Sequence, residues 1–202
     1  MARVLGIMFF IIFLCSGSYG YSEEGFAYIA KITNMYLSPE VSQPIGKIYI
    51  GAKVAIVKKE GGWIKVNIVG WRQYGLSCVI YAFMGKRIFM VQLNHNGEKI
   101  VKILKSVEDK DTQLKWEKVE LKGVWVKSDV VVKNKDLLWE KASKLFHQRC
   151  SMCHALPKTT TFTANQWPAT LRVMTKRAAL TKQQASIVSL FLQYHARDIG
   201  KR

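Results

Sequence analysis

Residues 150–154 read Cys-Ser-Met-Cys-His. Two thiols and an imidazole within five positions restrict the fold of this chain more than any other feature. On a helix, positions i and i+3 share a face. Cys150 and Cys153 can therefore reach the two vinyl groups of one porphyrin. His154 lies four residues after Cys150 and can bring its imidazole under the ring to bind the iron. This is the C-x-x-C-H attachment pattern of c-type haem. Two other readings compete. A thioredoxin-like pair should follow a strand and open a helix, whereas a helical pattern precedes Cys150. A tetrahedral zinc site needs a second Cys/His cluster, and the sequence has none. The expectation is one haem c, covalent through Cys150 and Cys153, with His154 as an axial ligand.

The start of the chain bears on compartment. Arg3 precedes an unbroken apolar run from Val4 to Cys15. That run is shorter than the roughly 20 residues of a spanning helix and fits a secretory core of ~7–15. Ser18 and Gly20 are spaced like the small residues of a cleavage site. Residues 1–20 therefore read as a signal peptide directing the chain to the periplasm, with an uncleaved N-terminal anchor as the alternative. Three cysteines follow the signal, Cys78, Cys150 and Cys153, an odd number that does not suggest a disulfide framework. Cys78 alternates with apolar residues and reads as a core thiol.

Residues 136–202 show three helical patterns. The first runs from Asp136, expected as its cap, to Arg149, with Leu138, Ala142, Leu145 and Phe146 as the apolar stripe. The second opens at Asn165 with Pro168 in its first turn and places Trp167, Leu171, Met174 and Ala178 on one face. The third begins with Thr181-Lys-Gln-Gln184, a capping-box pattern, and buries Ile187, Val188, Phe191, Leu192 and His195. Two side chains remain for the sixth iron position. Met174 reads as either a core-filling methionine or a ligand, and His195 as either a core histidine or a ligand. Thioether ligation would raise the iron potential relative to two imidazoles.

Phe146 before the C-x-x-C-H, together with the closing Phe191-Leu192 helix, resembles the monohaem cytochrome c superfamily, in which an aromatic of the first helix packs on one of the last. Asn165-Gln-Trp-Pro-Ala-Thr-Leu-Arg-Val-Met174, followed by Arg177-Ala-Ala-Leu180, is similar to the C-terminal haem domain of trimethylamine-N-oxide reductase cytochrome subunits. The resemblance covers about the last third of the chain. It implies Met174 as sixth ligand, Trp167 as a haem-packing residue, and electron delivery to a periplasmic molybdenum enzyme that reduces N-oxides or S-oxides. Those subunits carry a multihaem domain ahead of this one, whereas this chain has a single C-x-x-C-H. The donor is accordingly expected to be a membrane quinol-oxidising complex or a multihaem cytochrome. Arg177 is the expected partner of the haem carboxylates.

Residues 21–135 are a succession of short β-type runs separated by turn signals such as Gly61-Gly62 and Asn94-His-Asn-Gly97. No long helix is expected before Asp136. Ile45-Gly, Gly51-Ala-Lys-Val, Gly61-Gly-Trp-Ile-Lys-Val66 and Gly70-Trp71 resemble bacterial Src-homology-3-like domains. The expected fold class is thus an all-β module of residues 21–135, a small SH3-like barrel, followed by a small all-α cytochrome c domain of residues 136–202, three main helices around one haem.

Lysine and arginine number 31 against 14 acidic residues, a net charge of +17. Nucleic acid is the usual partner of such a chain, but an exported haem protein does not meet it, so none is expected. Lys144, Arg149, Lys158, Arg172, Lys176 and Arg177 instead suggest a positive surface that steers an acidic redox partner. No carboxylate pair suits acid–base work. The function read from the sequence is single-electron transfer to a terminal reductase, not catalysis. The alternative is a haem-bearing sensor or partner-docking module.

Overall fold

Ten strands and four helices occupy the residues that the computed structural model describes, 25–110, 112–153 and 155–200. The expected signal peptide and His154 lie outside these residues. The strands are β1 (Phe26–Ile29), β2 (Thr33–Met35), β3 (Gly46–Ile48), β4 (Lys53–Glu60), β5 (Trp63–Gln73), β6 (Val79–Phe83), β7 (Lys86–Leu93), β8 (Lys102–Glu108), β9 (Lys115–Lys127) and β10 (Val131–Val132). The helices are the single turn α1 (His95–Glu98) and then α2 (Asp136–Cys150), α3 (Trp167–Thr175) and α4 (Lys182–Tyr194).

All strands join one antiparallel sheet in the order β10-β1-β4-β5-β6-β7-β3-β2, with β9 alongside β5 and β8 alongside β9. The long β5 organises it. Its first half pairs with β4 and its second half meets β6 at Trp71–Tyr81, while β9 follows it from Trp63–Lys127 to Gln73–Trp116. Period-two alternation in β5 sends Ile64, Val66 and Ile68 inward. Gly70 is needed on this strand, because a Cβ there would meet Ile80 at 2.4 Å and Met90 at 2.6 Å. The sheet curls back on itself. Tyr36 and Trp125 exchange backbone N–H···O bonds of 3.0 and 2.8 Å, joining the end of β2 to β9. The first core fills the concave side, with Ile29, Ile48, Val66, Ile80, Val119 and Leu121 fully buried.

The fold-class expectation is overturned here. The chain is mostly one large sheet, and the helices do not form a small all-α domain of their own. The core that unites α2, α3 and α4 also takes in Ile88 of β7, and Tyr28, Ile50 and Val132 of the sheet region pack against it. The physical reason is hydrogen-bond satisfaction at the β6–β7 turn. Arg87 N–H donates to Asn165 Oδ1 at 2.7 Å, and Asn165 Nδ2 donates to the Gly85 carbonyl at 2.9 Å. Gln193, buried on α4, donates to the carbonyls of both Arg87 (3.2 Å) and Ala164 (3.0 Å). The helical segment thus supplies partners that the turn lacks on its own.

Local signals set the helix ends. Thr181 and Gln184 form the expected capping box, Gln184 N–H to Thr181 Oγ1 at 3.2 Å and Thr181 N–H to Gln184 Oε1 at 2.9 Å. Asp136 proves to be the first helical residue rather than the cap, and its N–H donates to Asn134 Oδ1 at 2.8 Å. At the same end of α2, Trp139 presses on Gly51, whose φ is +80° and where a Cβ would meet the indole at 2.9 Å. Trp139 is held by packing. Its Nε1–H has no hydrogen-bond partner among the described residues, and its ring lies 5.2 Å from that of Tyr194.

Beyond α4, Asp198 closes the seam. It forms an ion pair with Lys86 and accepts the Ala164 N–H at 2.8 Å. Burial raises its pKa, but the Lys86 and Ala164 hydrogen bonds outweigh burial and the net shift is downward. A carboxyl whose folded pKa is depressed contributes stability above its unfolded pKa and loses it as pH falls through the folded value. Asp198→Asn is expected to cost on the order of 2 kcal/mol at neutral pH and much less at pH values below the ordinary aspartate range. Urea melts at pH 7 and pH 3 check this, and an equal cost at both would contradict it.

Candidate functional site

The apolar stripe of α2, Leu138, Trp139, Ala142, Phe146 and Cys150, recurs at helical spacing and runs along the second core. Cys150 is its last member and the last residue of the helix. Its thiol is therefore held by core packing, and burial pushes its pKa up, which keeps it neutral. Cys153 follows within a turn and is exposed. The neighbouring helix α3 runs into a further turn in which Ala178 N–H donates to the Met174 carbonyl at 2.9 Å.

These elements converge. Arg149, Cys150, Cys153, Met174, Arg177 and Ala178 line one small, open pocket. The structure thus brings together four of the sequence-predicted site residues, Cys150, Cys153, Met174 and Arg177. Its donor set, two thiols, a thioether and two guanidiniums beside an alanine methyl, fits a flat apolar macrocycle with anionic substituents better than a bare cation. Among the described residues no three His, Cys, Asp or Glu side chains group as metal ligands.

Trp167 and His195 stand elsewhere. Trp167 is fully buried and lies behind the pocket rather than on its wall. Its Nε1–H donates to the Thr159 carbonyl at 2.9 Å, and its ring meets Phe162 edge-on at 4.9 Å and Phe146 at 6.3 Å. The expected pairing of Phe146 with Phe191 is redistributed. Phe146 faces Trp167, and Phe191 faces Trp139. His195 donates through Nδ1 to the Phe191 carbonyl at 2.7 Å and packs 5.9 Å from Trp139. Trp139 and Cys150 are eleven residues apart on α2, about 16 Å along its axis. His195 therefore sits at the opposite end of α2 from the thiols.

Arg149, named from the sequence among the surface cations, and Ala178, placed there on the Met174 face of its helix, complete the pocket wall. Each had a signal in the sequence: Arg149 adjoins Cys150, and Ala178 is four residues after Met174. Lys144, Arg149, Lys158, Arg172, Lys176 and Arg177 are all exposed, and none pairs with a carboxylate among the described residues; Arg149 and Arg177 line the pocket itself. Met152 and Val173, 74% and 69% exposed, stand among them. No described helix is long and apolar enough to cross a membrane.

Residues 21–131 match the family of the TorC third cytochrome c domain. The matched segment is the sheet, not the C-x-x-C-H. The chain is also 28% identical to the cytochrome c-type protein TorC of Escherichia coli K12 over 172 residues, 85% of this chain and 44% of that protein. It is 29% identical to the cytochrome c-type protein TorY of Haemophilus influenzae over 145 residues, 72% of this chain and 39% of that protein. The chain thus spans less than half the length of these curated relatives. No solved structure matches it.

Proposed function

The chain belongs to the TorC third cytochrome c domain family, and on that premise we propose that it is an exported c-type cytochrome carrying single electrons on one haem c. One observation supports this most. The thiols of Cys150 and Cys153 share a pocket with the thioether of Met174 and the guanidinium of Arg177. When bound there, haem supplies an iron that stores and releases one electron. Cys150 and Cys153 would hold the group covalently, and His154 and Met174 would ligate its metal. Arg177, with Arg149 beside it, would balance its carboxylates, while Trp167 braces the wall from behind. His195 is the weaker choice of ligand, because its ring belongs to the far end of α2. The β-rich part, 21–135, would carry and orient the haem-bearing part, 136–202.

The electron acceptor in this reading is a molybdenum N-oxide or S-oxide reductase, and the donor a membrane quinol-oxidising complex or a multihaem cytochrome. Residues 1–20 would direct export to the periplasm. The substrate chemistry belongs to the acceptor, and this chain is a carrier rather than an enzyme. The unpaired cations suit a small, weak, electrostatic encounter.

Met174→Ala is expected to abolish the weak near-infrared sulfur–iron band of the oxidised protein. It should also lower the potential on the order of 0.1 V, a fraction of the range that axial ligands span. His195→Ala should leave the band in place. A band that survives Met174→Ala would contradict the assignment. Reduction of the acceptor should slow several-fold as ionic strength rises from low to physiological, and a rate independent of salt would remove the steering role of the six cations.

A further inference from the structure

The sheet has a feature unrelated to the haem pocket. Alternation turns Ala27, Val54, Ile64, Val66 and Val126 inward, which leaves the intervening residues of β1, β4, β5 and β9 on the outer face, where Trp63 and Lys65 are half-buried and Trp125 is buried. On that face aromatics and lysines are matched. Trp63 lies directly opposite Lys127, and Lys65 directly opposite Trp125, with the aromatic and the cation exchanging strands between the two pairs. Lys127 Nζ sits 3.7 Å from the Trp63 ring centroid and Lys65 Nζ 5.8 Å from that of Trp125. Beside them, Lys53 Nζ of β4 sits 3.8 Å from the centroid of Phe26 of β1, which is 61% exposed. None of the three ammonium groups pairs with a carboxylate among the described residues. Glu60, across from Trp63, is taken by Lys58 at 2.8 Å.

We infer that this outer face docks on an anionic phospholipid surface. Stacking a lysine on an aromatic ring lays its methylene stem along the ring and fixes the ammonium at the ring's own level. Aromatics settle at the headgroup depth of a bilayer, where phosphates meet such cations, and anionic headgroups attract clustered lysines. The pairs spread over adjacent strands of one sheet face. Phe26, more than half exposed, supplies an apolar ring for the interface. An acidic protein would find the same charges, but it has no use for the uncovered ring of Phe26. The inference does not depend on the haem reading, since its residues and its test involve neither the pocket nor the cofactor.

The test is sedimentation of the full chain with vesicles of phosphatidylcholine alone or with one third phosphatidylglycerol. Binding is expected only to the anionic vesicles, with a blue shift of tryptophan fluorescence. Lys53→Gln/Lys65→Gln/Lys127→Gln should weaken it about a hundredfold with thermal unfolding little changed. Lys99→Gln/Lys141→Gln/Lys182→Gln removes the same charge from exposed positions off these strands and should leave binding nearly intact. Equal losses in the two triple variants would reduce the effect to net charge and overturn the site. Failure to bind anionic vesicles would overturn it too, as would capture of soluble polyglutamate without vesicle binding, which would make the face an acidic-peptide surface.

Discussion

The β6–β7 turn carries backbone groups that cannot be satisfied within the hairpin, and the helical segment depends on them. Arg87 offers an N–H and a carbonyl, and Gly85 a carbonyl. Asn165 and Gln193 take all three. Gln193 does so from a buried position on α4, where an unpaired amide would cost about 1–3 kcal/mol. Lys86 and Asp198 add a partly buried ion pair to the same seam. These contacts determine where α3 and α4 stand against the sheet, and α2 packs on α4 through Trp139, Phe191 and Tyr194.

The position of the pocket follows from that arrangement. The first half of α2 is fixed by Trp139, wedged between Gly51 and the ring of Tyr194, whose hydroxyl donates to the Gly51 carbonyl at 3.3 Å. The other end of α2 delivers Cys150 to the pocket. A covalent group held there would rest on a helix whose far end is anchored to the sheet, so the family match to residues 21–131 and the C-x-x-C-H beyond it belong to one mechanical unit. The lysine–aromatic pairs lie on the opposite side of the curled strands from the first core.

Much of this was legible in the sequence, because it rests on local rules. The alternation of Ile64, Val66 and Ile68 is read directly from period two. The capping box at Thr181–Gln184 and the stripe of Phe146 and Cys150 need only neighbours three or four residues away. Cys150, Cys153, Met174 and Arg177, singled out from motif and family likeness, line one pocket. What was not legible depends on long separations. Nothing near Asn165 in sequence reveals that its amide serves Gly85, eighty positions earlier. Without that contact the helices read as a domain of their own, which is why the fold class came out wrong. The same blindness paired Phe146 with Phe191 instead of with Trp167, since a helical stripe says which side is buried and not which ring it meets.

The central claim is that a tetrapyrrole is covalently attached at Cys150 and Cys153. Its most direct test is the mass of the unfolded, desalted polypeptide isolated from its native compartment, alongside a Cys150→Ala/Cys153→Ala variant prepared in the same way. The account predicts that the native chain outweighs its processed sequence by one haem, and that the variant does not. An unmodified native mass would contradict it.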